Sequence, residues 1–139
     1  HCWDDAPTMS GIHSELESYG LGERVQLFAV ATQLPIPTHE TSREEIVAFQ
    51  EKTSFEGCKG GYYNCMDREG DAHQFPYIDD LEGDILTGWS LPGTPYYVIL
   101  SPNGIIVWHS QSATQGETPG SAIAELLCRD GGSVTLCGE

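Results

Sequence analysis

The chain is poor in basic residues. Only 6 residues are Lys or Arg, against 21 Asp or Glu, and the formal net charge is −15. Nucleic acids and anionic membrane surfaces are held by clustered Lys and Arg, so this imbalance argues against both as partners. Long apolar runs are also absent. None approaches the ~20 residues of a membrane-spanning helix, so no membrane insertion is expected. There is no Gly-x-Gly-x-x-Gly, no phosphate-binding P-loop and no Gly-x-Ser-x-Gly, which removes the common sequence grounds for a nucleotide site or a serine hydrolase. Internal repeats and low-complexity tracts are missing, and the start, His1-Cys2, carries no signal-peptide pattern.

What is present fits one α/β domain spanning 1–139. A chain of 139 residues with 39% hydrophobic residues can bury a core. Met9, Ile12, Leu16 and Tyr19 recur at helical spacing, which predicts an amphipathic helix over 7–19. Arg24 to Thr32 predicts a mostly buried strand. Thr41 and Ser42 each have a Glu three residues on, Glu44 and Glu45, and these overlapping capping boxes open a second helix with Ile46, Phe49 and Thr53 on one face. The segment 54–74 is irregular. Phe75 to Ile78 suits a short extended piece, and Leu81 to Trp89 a short helix. Thr118 and Pro119 mark the start of a last helix with Ala122, Ile123, Leu126 and Leu127 on its buried face. Val134 to Leu136 suits a short final strand.

The most informative stretch is Gly93 to His109. Tyr96 to Leu100 is apolar throughout, which predicts a strand buried on both faces. Pro102-Asn103-Gly104 is turn chemistry, and Ile105 to Trp108 is a second strand, so the pair must be an antiparallel hairpin. Gly93-Thr94-Pro95 precedes it. A proline opening a central strand donates no hydrogen bond there and leaves neighbouring backbone groups free.

This stretch resembles the thioredoxin superfamily, above all its TlpA/ResA-like and redoxin branches. There a Gly-Thr-Pro segment carries a cis-proline beside the redox cysteines and is followed by a strand, a turn and a second strand. The order helix, strand, helix, insertion, strand, strand, helix is similar to that fold from its first active-site helix onward, over most of the chain and most weakly across 54–74. The resemblance implies a central mixed β-sheet flanked by helices, lacking its N-terminal strand or strands here. It also implies a cis bond at Thr94–Pro95.

Cys2-Trp3-Asp4-Asp5-Ala6-Pro7 is similar to the second half of a TlpA-like Cys-x-x-Cys motif, whose second cysteine is followed by a proline inside the helix. The resemblance makes Cys2 the resolving cysteine, His1 a neighbour that tunes it, and Trp3 and Asp4 an exposed helix start. It places the nucleophilic cysteine two residues before His1, outside this sequence. Thr94 and Pro95 would offer backbone groups to an extended substrate. The implied activity is thiol–disulfide exchange with a protein thiol or disulfide partner, outside the cytoplasm (periplasmic or secreted), without cofactor or metal. Three explanations of Cys2 stand side by side. The sequence begins inside a longer chain, or this is a divergent module with one cysteine here and no redox cycle, or the cysteine is incidental. A redox-inactive thioredoxin-like binding module is therefore the alternative function, and a peroxiredoxin-like one the third.

Five cysteines is an odd number. Proximity in sequence favours Cys58–Cys65 and Cys128–Cys137 as disulfides with Cys2 left over, although four cysteines allow three pairings. Five reduced thiols in a cytosolic protein is the competing reading. Cys58, Cys65 and His73 with a carboxylate make a weak zinc set that lacks the close cysteine pair of common sites. Asp67, Glu69 and Asp71 faintly resemble a calcium loop without its terminal Glu.

Overall fold

The structure is a computed structural model that describes residues 2–33, 36–58 and 63–129. It is mixed α/β, and its packing divides it into two compact units, His1–Thr94 and Pro95–Glu139.

In the first unit, helix α1 spans Cys2–Ser18, with Pro7 inside it and Ala6, Ile12 and Leu16 buried. The helix thus starts five residues earlier than the apolar periodicity alone indicates. Tyr19 lies beyond its end and is exposed. Gly20, at φ 67°, ends the helix in the left-handed region where glycine carries no Cβ penalty. Strand β1 is confined to Ala29–Thr32. The residues before it begin as a turn, with Arg24 N–H donating to Leu21 C=O at 2.9 Å. The expected buried strand over 24–32 is therefore shorter and more exposed, with Phe28 and Val30 both open to solvent.

Helix α2 covers Arg43–Glu51. Of the two overlapping capping signals, Ser42 supplies the cap: its Oγ accepts from Glu45 N–H at 3.1 Å. Lys52 ends the helix at φ 57°, ψ 44°. Thr53 falls past that end and is exposed, so only Ile46 and Phe49 of the predicted face pack inward. The irregular segment contains two very short strands, β2 (Glu56–Cys58) and β3 (Tyr63–Asn64), and a 3₁₀ turn at Cys65–Asp67. Strand β4 follows at Tyr77–Asp80 and pairs with β1 in parallel, Ala29 opposite Tyr77 through Thr32 opposite Asp80. Parallel strands need a long crossover, and α2 with the 54–74 segment provides it. Helix α3, Asp84–Gly88, is short. The buried Asp80 carboxylate accepts from Ile85 and Leu86 N–H at 3.0 and 3.2 Å, satisfying two of its first amides.

In the second unit, β5 (Val98–Leu100) and β6 (Ile106–His109) form the expected antiparallel hairpin, with an irregularity between Ile99 and Leu100. Gly104 closes its turn at φ 81°, donating to Ser101 C=O at 2.8 Å. Val98–Leu100 is half-buried, not enclosed on both faces, because two strands alone cannot cover both sides of each other. Helix α4 spans Pro119–Arg129 and buries Ala122, Ile123 and Leu127. Thr118 Oγ1 accepts from Ser121 N–H at 3.1 Å, and Ser121 Oγ from Thr118 N–H at 2.9 Å. The expected strand at 134–136 lies outside the described residues.

One sheet holding 24–32, 96–100 and 105–109 is not formed among the described residues. Hydrogen bonding makes three two-stranded sheets, β1–β4, β2–β3 and β5–β6. The partner of β1 is the 77–80 segment. Each strand takes the neighbour that its own connection delivers: a tight turn for β5 and β6, a helical crossover for β1 and β4.

Candidate thiol site

Cys2 is the first residue of α1, exposed, and the free cysteine among the described residues. The other described cysteines are bonded. Cys58 and Cys65 form a disulfide with Cα atoms 5.2 Å apart. β2 and β3 place them there: Cys58 ends β2, and Cys65 follows β3 directly. Asn64 holds this hairpin together, its Oδ1 accepting from Phe55 N–H at 3.0 Å and Met66 N–H at 3.2 Å. Cys128 is also disulfide-bonded. Cys137, its expected partner, lies outside the described residues, as does His1.

The disulfide overturns the zinc alternative, because joined sulfurs offer no thiolate ligands. It also sits deep in the first unit: Cys58, Cys65 and Ala48 are buried, and Trp3, Phe49 and Phe55 pack against them. Trp3 is therefore not part of an exposed helix start. Its ring centroid is 5.6 Å from Phe49 and 5.4 Å from Tyr63, which fixes the first turn of α1 over the disulfide. Asp4, beside it, is exposed as expected.

Beneath α1 runs an aromatic ladder. The rings of His73, Phe75 and Tyr77, at every second residue leading into β4, stack on one another. Centroids of His73 and Phe75 are 4.8 Å apart and nearly parallel, and Phe75 and Tyr77 stack at 6.0 Å. His13 of α1 touches the ladder through Phe75 at 6.0 Å. His73 Nδ1 and Tyr77 Oη share a hydrogen bond of 2.8 Å, while His73 Nε2 is buried and finds no hydrogen-bond partner among the described residues. Burial, then the charge of Arg68, pushes the His73 imidazole down to about 4, so the ring is neutral at physiological pH. Burial raises the Tyr77 hydroxyl to about 12 against the opposing pull of Arg68, with a further push from the negative form of Cys2.

Arg68 explains how the acidic loop is held. It is 1% exposed, yet no carboxylate faces its guanidinium at ion-pair distance among the described residues. It donates instead to main-chain carbonyls: Nε to Phe49 at 2.5 Å, Nη2 to Gln50 at 3.0 Å and Asp71 at 2.6 Å, and Nη1 to Glu69 at 2.9 Å. Two of these close the C-terminal end of α2, where a cation opposes the helix dipole. The loop that faintly resembled a calcium site is therefore wrapped around a cation from its own sequence, with the carboxylates of Asp67, Glu69 and Asp71 left exposed.

No family model, curated protein or solved structure matches this chain.

Thr94 and Pro95 lie half-buried in a bend ahead of β5. Thr94 closes the first unit and Pro95 opens the second, so of the expected site residues Cys2 and Thr94 share a unit. The sequence singled out His73 only as a weak zinc candidate and did not mark Arg68 or Tyr77. The alternation His73-Phe75-Tyr77 was the available signal. Nothing in the spacing of Arg68 marked it as buried.

Proposed function

We propose that this chain is a thioredoxin-like module that exchanges disulfides through Cys2. The observation that carries the proposal is the division of labour among the described cysteines: Cys58, Cys65 and Cys128 are in disulfides, and Cys2 is reduced, exposed and first in its helix. A helix start presents free N–H groups and the positive end of the dipole to whatever charge forms there. Pro7 inside the helix five residues on, and the order of α1, β1, α2 and the β5–β6 hairpin behind Thr94–Pro95, support the thioredoxin-like part of the reading.

In the reaction, Cys2 serves as the attacking thiol and not as the resolving cysteine that the resemblance makes it: its thiolate attacks one sulfur of a partner disulfide. A Cys2–partner disulfide forms, and the partner's other sulfur leaves as a thiolate. A second thiol, from the partner or a small thiol, then attacks the mixed disulfide and releases Cys2. Trp3, anchored on Phe49 and Tyr63, keeps the helix start in place while the sulfur stays open to solvent. In this reading Thr94, in the same unit as Cys2, keeps the part that the resemblance assigns it, a backbone group offered to an extended substrate. The Cys58–Cys65 bond supports an oxidising compartment, hence a periplasmic or secreted setting.

The test is trapping. The chain is incubated with a misoxidised protein substrate, quenched in acid, alkylated and mapped by mass spectrometry. A mixed disulfide at Cys2 that disappears in Cys2→Ser, with unchanged circular dichroism, is the expected result. Equal exchange by Cys2→Ser, or no adduct at Cys2 under conditions where a small thiol reacts, rejects the proposal and leaves a binding module as the better account.

A further inference from the structure

The chain contains two asparagines, Asn64 and Asn103, and the structure treats them in opposite ways. Asn64 is tied down. Its Oδ1 accepts from Phe55 and Met66 N–H, and its Nδ2 donates to Ser54 Oγ at 3.0 Å. Asn103 is exposed at the tip of the β5–β6 hairpin and is followed by Gly104, also exposed. No hydrogen bond holds the Asn103 Nδ2 among the described residues. Its Oδ1 lies 2.5 Å from Ser101 Oγ.

Gly104 N–H is directed at the same residue, 2.8 Å from Ser101 C=O. Ser101 thus holds the side-chain amide of Asn103 through its hydroxyl, while its carbonyl holds the Gly104 N–H, a bond that must open before that nitrogen can attack. The Ser101 hydroxyl also lies 3.0 Å from Ile105 C=O, a second acceptor for the same proton. A proton donated to Oδ1 makes the Asn103 amide carbon more electrophilic and stabilises the oxyanion that attack on it creates. Gly104 has no Cβ to obstruct that attack, and its φ of 81° belongs to a conformation that side-chain-bearing residues rarely adopt.

We infer that Asn103–Gly104 is a site of spontaneous deamidation, a modification built into the hairpin turn by Ser101. Hydroxide takes the proton from Gly104 N, and the nitrogen attacks the Asn103 side-chain carbon. The carbon–nitrogen bond of the amide breaks, and the leaving nitrogen takes a proton from water and departs as ammonia. Water then opens the cyclic imide at either carbonyl, to aspartate or to isoaspartate. The net change is one water consumed and one ammonia released, with no oxidation or reduction. Either product adds a negative charge to a chain already at −15. The isoaspartate form also lengthens the main chain by one carbon between Leu100 and Ile106, which now pair across the hairpin. The turn is therefore a chemical clock, and its isoaspartate product alters the register of β5 against β6.

The experiment follows ammonia release and peptide masses during incubation of the full chain in mildly alkaline buffer, with fragmentation that separates aspartate from isoaspartate. A free peptide covering 98–109 runs in parallel. Conversion of Asn103 in the folded chain, with Asn64 intact until the chain is unfolded, is expected. Ser101→Ala should slow the folded chain about tenfold, which is about 1.4 kcal/mol of barrier. Asn103 that survives while the peptide converts overturns the site. Ser101→Ala converting at the wild-type rate overturns the assistance from Ser101.

Discussion

Replacing Arg68 with Met removes the charge and all donors while keeping an unbranched side chain of similar reach. Four carbonyls, of Phe49, Gln50, Glu69 and Asp71, then lose their shared donor. Hydrogen bonds to a charged group contribute about 1.5–3 kcal/mol each, so the gross loss is roughly 6–12 kcal/mol. Much of this is offset, because burying a guanidinium costs several kcal/mol and Met avoids that cost. The net destabilisation expected is about 3–5 kcal/mol, the range seen when one member of a buried charged set is removed. Domains are stable by only about 5–15 kcal/mol, so the first unit would come close to unfolding. Reversible urea unfolding measures the effect. With a slope of about 2 kcal/mol per molar urea, the midpoint should fall by roughly 2 M. Amide exchange across α2 should accelerate in step, since the last turn of α2 loses its closure. Arg68→Lys should recover only part of the loss, because an ammonium cannot span four carbonyls on two sides. A midpoint unchanged in Arg68→Met, or full stability in Arg68→Lys, would refute the claim that the guanidinium organises this segment.

Further outcomes follow from other groups. His73 has a folded pKa of about 4 against an ordinary 6.5, so the unfolded chain binds its proton more readily; stability is full above pH 6.5 and declines by about 3 kcal/mol as pH falls towards 4. That slope should flatten in His73→Gln, and a wild-type slope in the variant would contradict the assignment. Tyr77 runs the other way, with a folded pKa of about 12 against 10, so unfolding midpoints should hold up to pH 10 and then drop, and Tyr77→Phe should remove the drop. Opening the Cys58–Cys65 loop with the Cys58→Ser, Cys65→Ser double variant should cost roughly 2–3 kcal/mol by the chain-entropy estimate, read as a lower melting temperature.

Sequence alone determined the features that depend on neighbours along the chain. Ser42 and Thr118 cap helices because a hydroxyl reaches amides three residues on, whatever the rest of the fold does. Pro102-Asn103-Gly104 demands a tight turn, which obliges the flanking β-branched runs to pair. Cys58 and Cys65 are close enough in sequence for their pairing to be foreseen. Tertiary structure decided whatever depends on residues brought from afar. β1 shrank to Ala29–Thr32 because that is the length β4 matches in parallel, and a parallel partner arrives only through a long crossover that no local pattern specifies. Trp3 looked exposed at a polar helix start, and became partly buried once α2 and β3 supplied Phe49 and Tyr63 against it. Arg68 carries the same charge in any sequence reading. Its burial is visible only when the carbonyls of α2 and of the acidic loop converge on it, since backbone acceptors leave no mark on the sequence.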